Sequence, residues 1–294
     1  MTRPAQAANA IDAGRDEPRV LIVGCGDVGR RVAARLSARG AAVWGLRRHP
    51  PPDDASIRWV AADLSRPPSL AGLPEGMTHL VYLPAPDART PAAYRAVYAD
   101  GLPRLLAALD RSALRRVLFV SSSAVYGEHH GDWVDEATPP APLGMNGAVL
   151  LETERWLAAQ DLSAVTLRLA GLYGPGRLQL AERLRAGRAH APLHPPHWSN
   201  RIHVDDAAAA VAHLLELPDP APLYVGADDT PLPLHELYAH VAALAGAPPV
   251  PEGPPPPGVG SKRLRNARLR ASGLRLRWPD ARAGYAALLA PPAA

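Results

Sequence analysis

Three glycines interrupt the first apolar run of the chain, in Val20-Leu21-Ile22-Val23-Gly24-Cys25-Gly26-Asp27-Val28-Gly29-Arg30. At this spacing the first glycine permits a tight turn and the second lets backbone approach a phosphate. The third lets the next helix pack closely on the strand, and that helix points its positive N-terminal end at the bound charge. An apolar run before the glycines and a helical pattern behind them make this a dinucleotide-binding turn, with Gly24, Gly26, Asp27, Val28 and Gly29 as its contact residues. The competing reading is a tight turn with no ligand. Cys25, the one cysteine, sits inside the turn and reads as a small packing residue, since nothing in its neighbourhood marks a lowered thiol pKa.

Two further positions carry chemistry for such a ligand. The second apolar run ends in Leu46-Arg47-Arg48, where sites selective for NAD place an acidic residue on the ribose 2′-hydroxyl. Two guanidiniums there suit a 2′-phosphate through charge-assisted, often bidentate hydrogen bonds, so NADP is favoured, with NAD as the alternative. Asp63 follows the third run and either accepts from the adenine amino group or caps the next turn. Farther on, Ser121-Ser122-Ser123-Ala124-Val125-Tyr126-Gly127 closes a strand with three hydroxyls. A serine there can hydrogen-bond a reacting carbonyl or hydroxyl, or merely cap a turn.

The elements that must position these residues alternate. Strands are predicted at Arg19–Val23, Ala41–Leu46, Ile57–Ala61, His79–Leu83, Arg116–Ser121 and Ala164–Leu169, and helices at Val28–Ala38, Pro91–Leu109 and Ala148–Gln160. This βαβα order predicts a doubly wound parallel sheet, with ligands beyond the carboxyl ends of its strands. After Gly174-Pro175-Gly176 the regularity falls away, leaving helices at Asp206–Leu217 and Leu234–Leu244, a short strand at Leu223–Val225 and a stiff segment at Pro251–Pro257. The division expected is a loose tail over 1–18, a nucleotide-binding domain over 19–174 and a smaller substrate-side lobe over 175–294, with 203–217 packing back on the main domain.

Composition narrows the function. The 294 residues are 47% hydrophobic, enough for a sizeable core. The net charge of +4 comes from 32 Lys+Arg against 28 Asp+Glu, and Lys262 is the only lysine. The arginines are dispersed and aromatics are 5% of residues, which leaves no basic stripe with stacking platforms for nucleic acid. One cysteine rules out an internal disulfide framework, and no run approaches a membrane span or signal peptide, so a cytoplasmic protein without a membrane partner is expected. Its partner is a small molecule, and oligomeric state is left open.

The order of the motifs carries a resemblance. The glycine turn, Asp63-Leu64, Ser121–Gly127, Arg168-Leu169-Ala170-Gly171-Leu172-Tyr173-Gly174-Pro175-Gly176 and Ile202-His203-Val204-Asp205-Asp206 occur as in the extended short-chain dehydrogenases/reductases. Over Arg19–Leu289 the chain resembles the NAD(P)-dependent epimerase/dehydratase family. The resemblance implies a cofactor contact at Asp63 and Leu64, an assisting catalytic serine at Ser122 with Ser123 beside it, and a tyrosine and lysine four residues apart. Aligning Leu150-Leu151-Glu152-Thr153-Glu154 with the family's K-L-E-A-E frame puts the tyrosine at Asn146 and the lysine at Leu150. A carboxamide does not titrate and a leucine carries no charge, so the usual pair is missing. A structural asparagine of the family falls at Tyr98, ahead of Gly101, and the loop Leu83-Pro84-Ala85-Pro86 is also unusual. The chain reads as an atypical branch that keeps the fold and the cofactor turn.

Other polar groups are weighed more plainly. Asp205 and Asp206 read as helix cap and first-turn charge rather than metal ligands with His203, and no metal is expected. Glu128, His129, His130 and Asp132 form a polar loop with a candidate acid/base among them, while His194, His197, Trp198, Asn200 and Arg201 face a ligand or stabilise their loop. Tyr126 and Tyr173 are phenols near the crevice with no lysine nearby in sequence. A serine hydrolase is disfavoured by the absence of a G-x-S-x-G elbow. Two functions remain: an NAD(P)-dependent oxidoreductase or epimerase/dehydratase-like enzyme acting on a small polar or sugar-like substrate, or a catalytically degenerate NADP-binding sensor or regulatory module.

Overall fold

Val20–Val23, Leu80–Tyr82, Val117–Phe119 and Val165–Leu169 are buried without interruption, the pattern of strands covered on both faces. In the computed structural model, which describes residues 17–51 and 56–290, they belong to one parallel sheet. Its strands are β1 (Arg19–Val23), β2 (Ala42–Arg47), β3 (Arg58–Ala61), β4 (His79–Tyr82), β5 (Arg116–Ser122), β6 (Ala164–Leu169) and β7 (Leu223–Gly226). They lie in the order β7-β6-β5-β4-β1-β2-β3, with every pairing parallel. The chain winds outward from β1 to β3 and then crosses to β4 on the other side of β1. Between β1 and β4 the order reverses, and a crevice opens beyond their carboxyl ends. Val23 is level with both Leu46 and Tyr82, so the turns after β1, β2 and β4 emerge side by side.

Helices cover both faces. α1 (Asp27–Ser37) buries Val28, Gly29, Val32, Ala33 and Leu36 along one stripe and packs against α6 (Val204–Glu216). α6 presents Ala207, Ala208, Ala210 and Ala212, small enough for the close approach. α2 (Pro91–Val97), α3 (Gly101–Ala108) and α4 (Met145–Ala158) complete the main domain, with α2 on α4 and α4 on β5 and β6. The single helix expected over Pro91–Leu109 is broken after Val97. Pro103 has no N–H to give residue 99, and the Asp100 N–H reaches back to Arg95 O instead. As the third residue of α3, Pro103 sits where a helix has no intrahelical use for that N–H.

A second core lies beyond the sheet, where α5 (Gln179–Arg185), α7 (Leu234–Ala245) and α9 (Ala281–Leu289) enclose Tyr173, Leu184, Leu237, Val241 and Tyr285. The short α8 (Ala267–Ala271) lies against β7. Assigning everything after residue 175 except 203–217 to a separate lobe needs correction, because β7 pairs with β6 and completes the main sheet. Leu-Tyr-Val-Gly is too short for periodicity to tell which core it serves. The caps of α6 also differ from expectation. The helix starts at Val204, so His203 is its N-cap, accepting from the Asp205 N–H at 3.1 Å, and both aspartates fall in the first turn. Asp206 accepts from the Arg277 and Trp278 amides at 2.8 Å each, while Asp205 pairs with Arg31 of α1. Among the described residues no helix is long and apolar enough to cross a membrane. The tail expected over 1–18 lies outside the described residues except for Glu17 and Pro18.

Just after β7, Asp228 is buried with its Oδ2 unpartnered, and burial pushes its carboxyl up to about 8. A carboxylic acid whose folded value lies above its unfolded one favours the fold while protonated and loses that advantage as pH rises. Asp228→Asn, which mimics the neutral acid, is therefore expected to gain stability over the parent progressively between about pH 4 and about pH 8. Urea denaturation of both proteins across that range checks it; a constant difference contradicts it.

Candidate functional site

The glycine turn links β1 to α1. Gly24 has φ +81°, and a Cβ there would lie 2.3 Å from the Pro84 Cα, so the loop after β4 closes directly over it. Its amide and that of Cys25 both donate to Leu46 O, which fixes the turn to β2. Gly29 is packed from below, with Ile22 Cγ2 at 3.3 Å and Cys25 Sγ at 3.4 Å from a Cβ position. Cys25 is fully buried in that floor. Gly26 differs from both, because the nearest atom to its Cβ position is 3.8 Å away. Protein packing does not require glycine at 26; the space beside it opens to the crevice. No side chain caps α1 at this end, so its first amides face the same space.

That space is part of one cavity of about 810 Å³. Gly24, Gly26, Asp27, Val28, Arg47, Arg48, Asp63 and Leu64 line it, whereas Gly29 lies beneath as a packing residue. The Arg48 guanidinium grips both oxygens of Asp87 at 2.5 Å, joining the loops after β2 and β4 across the groove. For the Arg47 side chain no hydrogen bond or ion pair is seen among the described residues. Asp63 Oδ1 accepts from the Ser65 hydroxyl and amide at 2.7 and 2.9 Å, which holds its carboxyl below the usual range. Asp63 thus caps its turn and also faces the cavity. Open space at Gly26, an uncapped helix start and paired arginines at the far end fit an anionic dinucleotide lying along the groove.

At its other end the cavity reaches Ser121, Ser122, Leu150, Leu169, Ala170 and Leu172. Ser122 Oγ accepts from the Ala124 amide at 3.2 Å, leaving its proton to donate. Ser123 is not among the lining residues. Ser121 points away from solvent into a buried ionic node, donating to Glu154 of α4, whose carboxylate takes three hydrogen bonds from Arg168 of β6 at 2.6 to 3.1 Å. The Arg168 guanidinium also lies 4.8 Å over the Tyr126 ring. Leu150 faces the cavity and Asn146, one turn earlier on α4, does not line it.

The remaining candidates serve the loops that hold them. Tyr126 and Tyr173 are fully buried, the latter stacked on Tyr285 at 4.6 Å, and burial pushes both phenols up. Glu128 accepts from the His129, His130 and Ser261 amides; burial raises its carboxyl, and those three donors outweigh it and hold it low. His129 Nε2 meets Tyr126 O, Asn200 bridges Lys262 O and the Leu264 amide, and Trp198 stacks on Arg263. His130, Asp132, His194, His197 and Arg201 likewise do not line the cavity. Lys262 is buried with Nζ on the Gly127 and Gly260 carbonyls, so the only lysine does not take the place vacated at Leu150.

The model of the NAD-dependent epimerase/dehydratase family matches residues 20–225. The chain belongs to this family. It is 30% identical over 244 residues to Protein YeeZ of Escherichia coli strain K12, a match spanning 79% of this chain and 85% of that protein. It is also 30% identical over 255 residues to the 3-diazoavenalumate denitrifying reductase of a Streptomyces species, covering 79% and 83%. Among solved structures, a putative NAD-dependent epimerase/dehydratase from Methylobacillus flagellatus superimposes with a TM-score of 0.78 at 41% identity, covering 92% of this chain and 97% of that one.

Within the family frame the structure brings forward residues that motif reading alone did not assign to the groove. Tyr98, at the family's structural asparagine, donates to Pro84 O at 2.9 Å and ties α2 to the loop that roofs Gly24. Asp87 and Arg177 line the cavity from loops with no periodic signal. Glu154, visible in sequence only as part of a motif frame, proves to be the partner of Arg168.

Gly24→Ala is expected to lower stability by several kcal/mol, since backbone and not a flexible side chain occupies the Cβ position. Gly26→Ala is expected to leave thermal stability nearly unchanged while weakening dinucleotide binding by about tenfold or more; melting curves and titrations of the two variants separate these roles. Glu154→Ala strands the Arg168 charge and is expected to cost about 3–5 kcal/mol in chemical denaturation. A loss below about 1 kcal/mol would show that the node is dispensable.

Proposed function

We propose that this member of the family is an NAD(P)-dependent oxidoreductase that moves hydride between a nicotinamide and a carbonyl or carbinol carbon of a small polar substrate, with NADP preferred to NAD. One observation carries the reading: a single cavity runs from Arg47 and Arg48, past Gly26 and the open start of α1, to the Ser122 hydroxyl. When bound, the cofactor supplies the hydride. The chain's part is to hold and orient. The first α1 amides would hold the pyrophosphate in the space beside Gly26, the two arginines would hold the 2′-phosphate, and Ser122 would donate to a substrate oxygen. Leu150, Leu169 and Leu172 keep water from the reacting end. The reductase named among the relatives supports hydride delivery as the class of reaction.

The position of Leu150 also favours a second reading. With leucine facing the groove at the lysine position of the family frame, and every tyrosine that borders the site buried or tied, the chain instead binds NADP without turnover and passes occupancy to a partner as a shift in conformation.

Titration with NADPH and NADH, followed by nicotinamide absorbance against a panel of aldehydes, ketones and sugar nucleotides, separates the two. Oxidation of bound NADPH by any panel member is the expected outcome; tight binding with none across the panel supports the second reading. Arg47→Ala combined with Arg48→Ala is expected to weaken NADPH by about tenfold or more and NADH far less. Equal losses would overturn the 2′-phosphate assignment.

A further inference from the structure

The turn that leads into the second core contributes a cation to the edge of the cavity. After β6 the chain makes the turn Gly174–Arg177, in which Gly174 has φ +136° and Gly176 φ +78° and the Arg177 N–H returns to Gly174 O at 3.0 Å. A Cβ on Gly174 would lie 2.6 Å from Val204 Cγ2, so this turn is seated against the start of α6. Its geometry delivers the Arg177 side chain to the edge of the cavity, where Nε lies 3.3 Å from Asp27 Oδ2. Asp27 is the first residue of α1 and directly follows Gly26. The guanidinium therefore stands beside the helix end whose amides have no side-chain cap.

Asp27 does not depend on this partner. Arg31, one turn along α1, holds its other oxygen at 2.9 Å and is itself anchored by Asp205. Arg177 and Asp27 side chains remain 32% and 40% exposed, and an ion pair so open to water is weak and exchanges readily. A pyrophosphate placed over Gly26 offers Arg177 more charge and a better-matched set of oxygens than one carboxylate, in the charge-assisted geometry guanidinium favours.

We propose that Arg177 is a cofactor-clamping residue: its guanidinium leaves the Asp27 carboxylate and pairs with the pyrophosphate of a dinucleotide in the groove. The inference rests on the dinucleotide reading of the cavity and extends it, because the clamp comes from the turn that leads into the second core. Gln179, two residues on, begins α5 of the second core, so the contact ties cofactor occupancy to that core.

The test is calorimetric titration of the full chain with NADP⁺, ADP-ribose and adenosine 2′-monophosphate, the last carrying a 2′-phosphate without a pyrophosphate. Arg177→Ala is expected to weaken NADP⁺ and ADP-ribose by about tenfold and to leave adenosine 2′-monophosphate and the ligand-free melting temperature unchanged, with Arg177→Lys intermediate. Asp27→Asn is expected to tighten ADP-ribose, and by a smaller factor when Arg177 is also alanine. Undiminished ADP-ribose binding in Arg177→Ala, or an equal loss for all three ligands, would overturn the clamp. If the parent protein binds none of the three, the dinucleotide reading itself fails and the clamp falls with it.

Discussion

The site depends on one buried ionic node. Arg168 and Glu154 lie almost wholly out of water, and removing two charges from solvent is costly unless they meet each other and their remaining hydrogen-bonding groups are served. Ser121 completes the carboxylate and the face of Tyr126 meets the guanidinium, whose Nη1 is buried without a hydrogen-bond partner. Ser121 and Arg168 are also register partners across β5 and β6, so the node closes in one register and in no other. A one-residue slip of β6 would turn the Arg168 charge to the other face of the sheet, and a slip of β5 would take the Ser121 hydroxyl from the node. Three elements that form the inner end of the groove, β5, α4 and β6, are thereby locked together. Ser122, Leu150 and Leu169 each sit within four residues of a member of the node along their own element.

The outer end of the groove is held by a different kind of constraint, close backbone contact. The Pro84 loop lies against Gly24, Tyr98 holds that loop by its carbonyl, and Arg48 bonds to Asp87 a few residues on. One side of the opening is therefore fixed by sterics, and its rim is made of exposed ion pairs. Rigid contact at the floor and weak pairs at the edge suit a site that must admit a charged ligand and then hold it, since exposed pairs exchange at little cost whereas packed backbone does not.

Much of this was legible in the sequence because it rests on local rules. Alternating apolar runs and helical stripes place the strands of the parallel sheet to within a residue or two, and the glycine spacing marks Gly24, Gly26 and Gly29. What escaped depends on contacts between distant segments. Pro103 is plain in the sequence, yet the break before α3 needed the Asp100 to Arg95 bond to become visible. β7 carries too few residues for a period, so only its pairing with β6 reveals which core it joins. Asp87 and Arg177 lie in irregular loops, where position in the chain says nothing about position in the groove. Of the Asp205 and Asp206 reading, the first-turn charge holds and the cap does not: α6 begins at Val204, ahead of its alanine stripe, which gives the cap to His203.

The absent tyrosine and lysine restrict the chemistry the groove can support more than they restrict binding. In the family frame a lysine lowers a phenol's pKa; here Leu150 faces the cavity, and the only lysine is engaged by two backbone carbonyls elsewhere. Among the described residues Tyr98 is the one phenol bordering the cavity, and burial raises its pKa while its proton is committed to Pro84 O. The Ser122 hydroxyl can orient an oxygen but is a poor acid at neutral pH. Under the proposed function the proton must therefore reach the substrate from water or from the substrate itself, which favours acceptors whose reduction places little negative charge on the oxygen. That requirement follows from the side chains at the inner end of the cavity, and it leaves the outer, arginine-lined half of the groove unaffected.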